Sequence, residues 1–342
     1  ANGFYGGSEE QYEEVGTSLV SVDSDLYLGN WKVTPRLYWR RNEDLYFWDR
    51  PQRIGRNLHV TNTWGAEFHA NLETSIGNTG IGLENRNEYI SSNNLGIRER
   101  SNFGVFAEQL LNITENLNVT AGVYFNYFTD FGWQAFPGID VGYQLSDKIR
   151  LYGSIGRAYR IPSYIDLYFT GGNTLGNADL VPEESLSYEG GIKFLGKGVL
   201  AEASYYLREE DNLIDFLITD VSTGFGEARN INNINTGGVE VNFDFNFRQL
   251  MSANFFVNRL NVSYNYIEAT SSLPENTLTR YTLENFTHQL IISLNHKIWK
   301  NISHQLQLRY LDRVTMPDYW LVDSRIAWQK EGKSIFIEAT NI

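Results

Sequence analysis

Apolar and polar residues alternate one by one along most of this chain. Val239, Val241, Phe243, Phe245 and Phe247 interleave with Glu240, Asn242, Asp244 and Asn246, so an extended segment there has one apolar and one polar face. The same beat puts Val119, Ala121, Val123, Phe125 and Tyr127 opposite Asn118, Thr120, Gly122, Tyr124 and Asn126. In a third segment Ile302, Leu306, Leu308 and Tyr310 face away from Ser303, Gln305, Gln307 and Arg309. No helical stripe at i, i+3, i+4 is sustained, so the pattern predicts an all-β chain.

The connectors between these segments differ in length in an ordered way. Short links fall near 23–30, 72–79, 113–116, 145–148, 195–198, 299–301 and 330–333, and an intermediate one at 248–258. Between them come long or medium ones at 41–56, 91–98, 129–136, 160–184, 209–235, 268–286 and 312–319. Fifteen connectors join about sixteen strands, alternating mostly short and long. Such alternation suits antiparallel strands crossing a membrane, with tight turns at one rim and long extracellular loops at the other. Segments of roughly 10 or more residues also fit a tilted crossing of a ~25 Å apolar band. Trp320 and Trp328 lie on one face near the two ends of a single predicted strand, where amphipathic rings sit at the two interfaces.

Composition narrows the picture. The chain has 342 residues, no Cys and 14% aromatics, which leaves neither a disulfide framework nor a thiolate metal site. A net charge of −13 lacks the clustered basic surface that a nucleic-acid binder needs. No window approaches about 18 consecutive apolar residues, and the first ten residues lack the charged start and apolar centre of a signal peptide. A negative mean hydropathy is compatible with a barrel, which shows lipid only every second side chain.

The longest stretch without a β pattern carries a motif. It contains Tyr159, Arg160, Ile161 and Pro162, then Leu167 and Tyr168, then Gly176, Asn177, Ala178, Asp179, Leu180, Val181, Pro182 and Glu183. Tyr188, Glu189, Gly190 and Gly191 follow after Ser187. This run resembles the signature of TonB-dependent outer-membrane receptors: an aromatic-Arg-x-Pro box, a Leu-Tyr spacer, a Gly-Asn-Pro-x-Leu-x-Pro-Glu box and a Tyr-Glu-x-Gly strand. Ile161 stands where Ala is usual, and Ala178 where Pro is usual. ANGFYGG at the start, Tyr38–Asp44 (YWRRNED), Ala228–Asn230 with Gly237, Gly238 and Glu240, and the closing EATNI resemble other parts of these barrels. The likeness spans residues 1–342 and leans toward the cobalamin and siderophore branch.

The resemblance implies an antiparallel transmembrane barrel of 22 strands closed by an N-terminal plug, with energy for uptake delivered through that plug by the TonB complex. It implies a multi-pass protein of the bacterial outer membrane, in contact with its lipid, that binds a scarce metal chelate such as an iron-siderophore or cobalamin. No cofactor, resident metal or catalysis is expected. No plug-like segment is seen, so residues 1–342 read as a partial barrel domain, with the plug, the first strands and the last strand lying outside this sequence. Arg160, Pro162, Asn177, Asp179, Leu180, Pro182, Glu183 and Glu189 are the family-signature positions. Trp133, Tyr164, Tyr168 and Phe169 are the candidate ligand contacts, as aromatic rings in loops at the extracellular rim; packing within the loops is the competing role for each.

Sharper chemistry finds little support. Glu183 and Glu184 are adjacent and point apart, whereas glycoside hydrolysis needs two carboxyl groups facing one bond. His59, His69, His288, His296 and His304 show no metal-motif spacing, and residues 161–177 lack the His that haem receptors of this family place between the two boxes. Gly77–Gly82 precedes a strand, not a helix, and so is no dinucleotide cradle. On the residues alone, a passive porin and a soluble carbohydrate-binding β protein stay open beside the receptor reading.

Overall fold

The computed structural model describes residues 10–220, 224–252, 254–271, 273, 278–279, 286–314 and 316–342. The opening ANGFYGG and part of the 268–286 connector lie outside them. The first strands are β1 (Tyr12–Asp23), β2 (Leu26–Leu28), β3 (Trp31–Phe47), β4 (Asn57–Thr74), β5 (Gly77–Ser92), β6 (Gly96–Asn112), β7 (Leu117–Phe128), β8 (Gly132–Ser146) and β9 (Ile149–Arg160). A loop holding α1 (Tyr164–Tyr168), β10 (Thr170–Gly171) and β11 (Thr174–Leu175) leads to β12 (Glu183–Gly196) and β13 (Val199–Asp211). Then come β14 (Leu213–Asp220), β15 (Phe225–Ile231), β16 (Ile234–Asn246) and the single turn α2 (Phe247–Leu250). The chain closes with β17 (Val257–Thr270), β18 (Leu278–Thr279), β19 (Phe286–Trp299), β20 (Ile302–Arg313), β21 (Tyr319–Lys330) and β22 (Lys333–Ala339).

β1 and β2 both pair with β3 and are one strand broken at residues 24–25, so the large sheet has sixteen strand positions. Each neighbours the next in chain order and all pairs are antiparallel, with β9 beside β12, β13 beside β16 and β17 beside β19. Among the described residues β1 and β22 are each paired on one side only. No described helix is long and apolar enough to cross a membrane, which says nothing about crossing by strands.

Register aligns the alternation of every strand into two faces. One row reads Phe243, Val262, Ile292, Leu308 and Val322 across five strands. The row beside it reads Asp244, Asn261, Ser293, Gln307 and Asp323. In the other half Phe68, Leu83, Val105 and Phe125 lie next to Glu67, Glu84, Gly104 and Asn126. The polar rows are knitted laterally: Asn261 Nδ2 donates to Asn242 Oδ1 at 2.9 Å, Arg309 pairs with Asp323 at 2.7 Å, and the Tyr124 hydroxyl donates to Glu84. The apolar rows are left exposed on the sheet. Leu83, Phe125, Phe243 and Ile326 are 47, 45, 40 and 46% exposed, a cost in water that hydrocarbon removes.

Buried apolar clusters lie instead at the rim of the long connectors. Leu167, Leu180, Ile214, Phe216 and Ala228 form one, with Phe131 and Tyr168 against it. Ile90, Leu95 and Tyr164 form a second with Tyr168 and Phe169, and Leu217, Ile231 and Ile234 a third. A small sheet of β10, β11, β15, β14 and β18 lies there too.

Three expectations need correction. Residues 209–235 are a hairpin, β14 with β15, because Phe216 and Ala228 have a loop core to enter. The strand β3 continues to Phe47 and shortens the 41–56 connector to 48–56; its charged residues stand on a ribbon still paired to β1 and β4. Phe247 leaves the sheet to start α2, where Asn246 Oδ1 accepts the Gln249 N–H and breaks the strand.

Candidate functional site

The loop between β9 and β12 is built by its own polar groups. Ser163 caps α1 in a capping box: its hydroxyl accepts the Asp166 N–H at 3.1 Å, and the Asp166 carboxylate accepts the Ser163 N–H at 2.9 Å. The same Asp166 pairs with Arg160 at 3.3 Å. Arg160 in turn forks onto Glu183 across the β9–β12 register, Nε to Oε2 at 2.6 Å, with a second nitrogen on Oε1. Glu183 Oε1 also accepts the Ile214 N–H at 2.8 Å. One Arg and two carboxylates therefore tie the two ends of the loop, its helix and the β14 strand together.

The second signature box makes a turn. The Asn177 N–H donates to Asp166 O at 2.8 Å and its Oδ1 accepts the Asp179 N–H at 2.9 Å, and Leu180 is delivered into the first apolar cluster. A Cβ on Gly176 would fall 2.8 Å from the backbone nitrogens of Tyr168 and Phe169, so the close passage of chain needs glycine. Asn230 then clamps the turn to the hairpin, accepting the Val181 N–H at 3.0 Å and donating to Val181 O and Asn212 O at 2.8 and 2.7 Å. Pro182 ends the loop where β12 begins. Pro162 is fully buried, and its carbonyl accepts Arg100 Nη1 at 3.1 Å. Glu189 lies farther down, register-paired with Ser154 and Tyr206 on the polar face.

This folded loop lies over the polar face. Arg100, 6% exposed, reaches it from β6, pairs with Asp130 at 2.9 Å and stands 4.8 Å from the Tyr164 ring centroid. Tyr164 and Tyr168 stack at 6.5 Å, and Arg98 covers the Tyr168 ring at 3.8 Å. Burial pushes the Tyr164 phenol up to about 12, with Arg100 pulling the other way. Tyr164 and Tyr168 are thus loop core. Phe169 is partly buried and lines a cavity. Trp133 is not brought to them: it is 59% exposed on the apolar face, edge-on to Phe103 at 6.5 Å and beside Tyr127 at 5.4 Å.

The cavity is a chamber of about 1200 Å³ beneath the long connectors. Phe169, Ile165 and Gly171 from the signature loop, and Phe216 and Ile218 from β14, form one side. Tyr12 and Glu13 of β1, Asp44 and Tyr46 of β3, Trp48 and Ile54 of the next connector, and Asn57 and His59 of β4 form the other. Aromatic rings alternate there with carboxylate, amide and imidazole groups, a lining that grips an amphipathic molecule by its apolar surface and orients it by hydrogen bonds. Among the described residues no three His, Cys, Asp or Glu stand together as a metal site. Asp44 and His59 escape a search for spaced motifs, because they meet only through the β3–β4 register. Their shared polar-face parity across that hairpin is the one signal in the sequence.

Comparison with known proteins agrees with this architecture. The chain is 25% identical over 240 residues to the ferrienterobactin receptor of Escherichia coli (strain K12), covering 62% of this chain and 29% of that protein. It superposes on the siderophore receptor PirA from Pseudomonas aeruginosa with a TM-score of 0.78 at 14% identity, over 97% of this chain and 61% of that one. For the copper transporter OprC the TM-score is 0.75 at 13% identity, over 96% and 59%. The chain thus spans less than two thirds of the length of each. Likeness at these identities shows the fold, a transmembrane barrel. The family model described as "TonB dependent receptor-like, beta-barrel" matches residues 2–342, and by that match this chain belongs to the TonB-dependent receptors, outer-membrane barrel proteins of Gram-negative bacteria that are not enzymes.

Proposed function

We propose that the protein to which this chain belongs imports an iron-siderophore across the outer membrane, with TonB supplying energy through a plug inside the barrel. The observation that carries this reading is the rim chamber: at about 1200 Å³ it exceeds the ~300–1,000 Å³ of drug-sized sites and suits a bulky chelate. Its position under a cross-tied loop, at the mouth of a polar-lined wall, is where a ligand from outside is first met. The ferrienterobactin receptor and the siderophore receptor PirA named above favour an iron chelate over cobalamin. Iron enters as cargo, not as a resident metal.

The deciding experiment is uptake and binding by the intact protein. Cells starved of iron should take up a radiolabelled ferric siderophore only when both this protein and TonB are present, and the purified receptor should bind that complex saturably. Equal uptake without TonB, with a large steady conductance in planar bilayers, would point to a porin. Saturable binding of cobalamin alone would overturn the iron reading.

A further inference from the structure

The lining of the rim chamber has a sign. Glu13 and Asp44 each bring a carboxylate, His59 brings an imidazole, and none of the lining side chains among the described residues is Lys or Arg. Arg50 is 3.7 Å from the ring centroid of Tyr12, covering one face of a wall residue. Asp44 stands opposite His59 in the β3–β4 register. Both Asp44 Oδ1 and His59 Nδ1 are buried without a hydrogen-bond partner among the described residues. A carboxylate oxygen held out of water without a donor is costly until something supplies an N–H, an O–H or a positive charge. A polyanionic guest does the opposite, adding like charge beside the buried Asp44 oxygen and the exposed Glu13 carboxylate. Tyr12, Trp48 and Phe169 offer apolar surface for a guest of low charge.

We infer that the chamber selects ferric chelates that are neutral or positively charged and carry hydrogen-bond donors, and disfavours polyanionic ones. This deepens the siderophore reading and rests on it. Three ferric probes separate the cases: a linear trihydroxamate with a terminal ammonium, its cyclic neutral analogue, and a polyanionic tris-catecholate. Each is titrated into the intact receptor in detergent, followed by tryptophan fluorescence and calorimetry. The cationic probe should bind tightest and the polyanion at least about tenfold more weakly. Asp44→Asn should weaken the cationic probe about tenfold and leave the neutral one within about twofold. The ordering on the unchanged receptor needs no variant, and Glu13→Gln repeats the test from another strand. Preference for the tris-catecholate, or a cationic probe indifferent to both substitutions, overturns the inference alone. Binding of none of the three removes the siderophore reading and the inference together.

Discussion

Glu183 shows how much one side chain can hold. It is the acceptor of three N–H groups from Arg160 and Ile214, with its carboxylate only 12% exposed. Glu227, paired with Arg229 at 2.8 Å, is 34% exposed beside an arginine that is 53% exposed. Arg160 and Arg229 are about equally exposed, at 49 and 53%, so the difference lies in the acceptor. Exposed pairs are worth about 0–1 kcal/mol, whereas a shielded carboxylate that also accepts a part-buried backbone N–H gains from a charge-assisted bond worth about 1.5–3 kcal/mol. Glu183→Gln should therefore loosen the 161–182 loop by about 1–3 kcal/mol, and Glu227→Gln by under about 1. Limited proteolysis of the native receptor reads the difference, and equal protection in both variants would refute it. Tyr164 makes a second test. Its phenol is pushed up to about 12 by burial from about 10 in an unfolded chain, so its neutral form stabilises the loop fully below about pH 10. That contribution is lost as pH rises through about 12. Protease sensitivity of the loop should climb over this interval in the wild type and less in Tyr164→Phe, whereas identical profiles would assign the change to another group.

At the scale of elements, the strands were legible and the rim was not. The strands that contain Phe125, Phe243 and Leu308 announced themselves by alternation, because lipid on one side and polar surroundings on the other impose period two on each crossing, whereas the charged end of β3 at 41–47 did not. Phe243 and Asn242 need no tertiary information to be assigned to opposite faces. Above the membrane that constraint disappears. β14 and β15 have apolar residues on a hairpin whose partner is a distant loop, so their pattern is set by Leu167 and Leu180 and cannot be read locally. Trp133 misleads for a related reason: an aromatic at a strand end serves an interface belt as readily as a binding loop, and only the register with Phe103 and Tyr127 decides. The signature residues Arg160, Asn177 and Glu183 were legible as a motif, and their role as loop ties emerges from geometry. Asn230 belongs to the same assembly from outside the motif, joining β15 to the turn by three hydrogen bonds. Asn230→Ala should raise hydrogen exchange at Val181 and across residues 212–216 about tenfold or more, since three hydrogen bonds, one of them part-buried, are lost together at about 1 kcal/mol each. Exchange in β19 and β20 should not change. A rise spread evenly over the barrel would mean that the clamp holds the whole wall and not the loop.

For the whole molecule, the two faces are the decisive property. Trp320 and Trp328 are eight positions apart on the apolar face of β21, which at about 3.3 Å per residue is roughly 26 Å. At the ~35–45° tilt of barrel strands this projects to about 20 Å along the membrane normal, just within the ~25 Å apolar band of an outer-membrane barrel. Between these girdle positions, Leu308 pairs with Ile292 and Val322 on the apolar face, while its neighbour Gln307 pairs with Ser293 and Asp323 on the polar one. Both side chains sit on the same strand at nearly the same depth, so propensity, backbone and insertion pathway are shared. Placing Arg at each isolates the environment. Leu308→Arg should cost about 2–4 kcal/mol near mid-membrane, seen as a lowered urea midpoint in bilayers and a smaller folded fraction by heat-modifiable mobility. Gln307→Arg faces water and the Asp323 carboxylate, and should fold as the wild type does. Equal tolerance at both positions would mean that neither face meets hydrocarbon, and a transmembrane wall made of these strands could not stand.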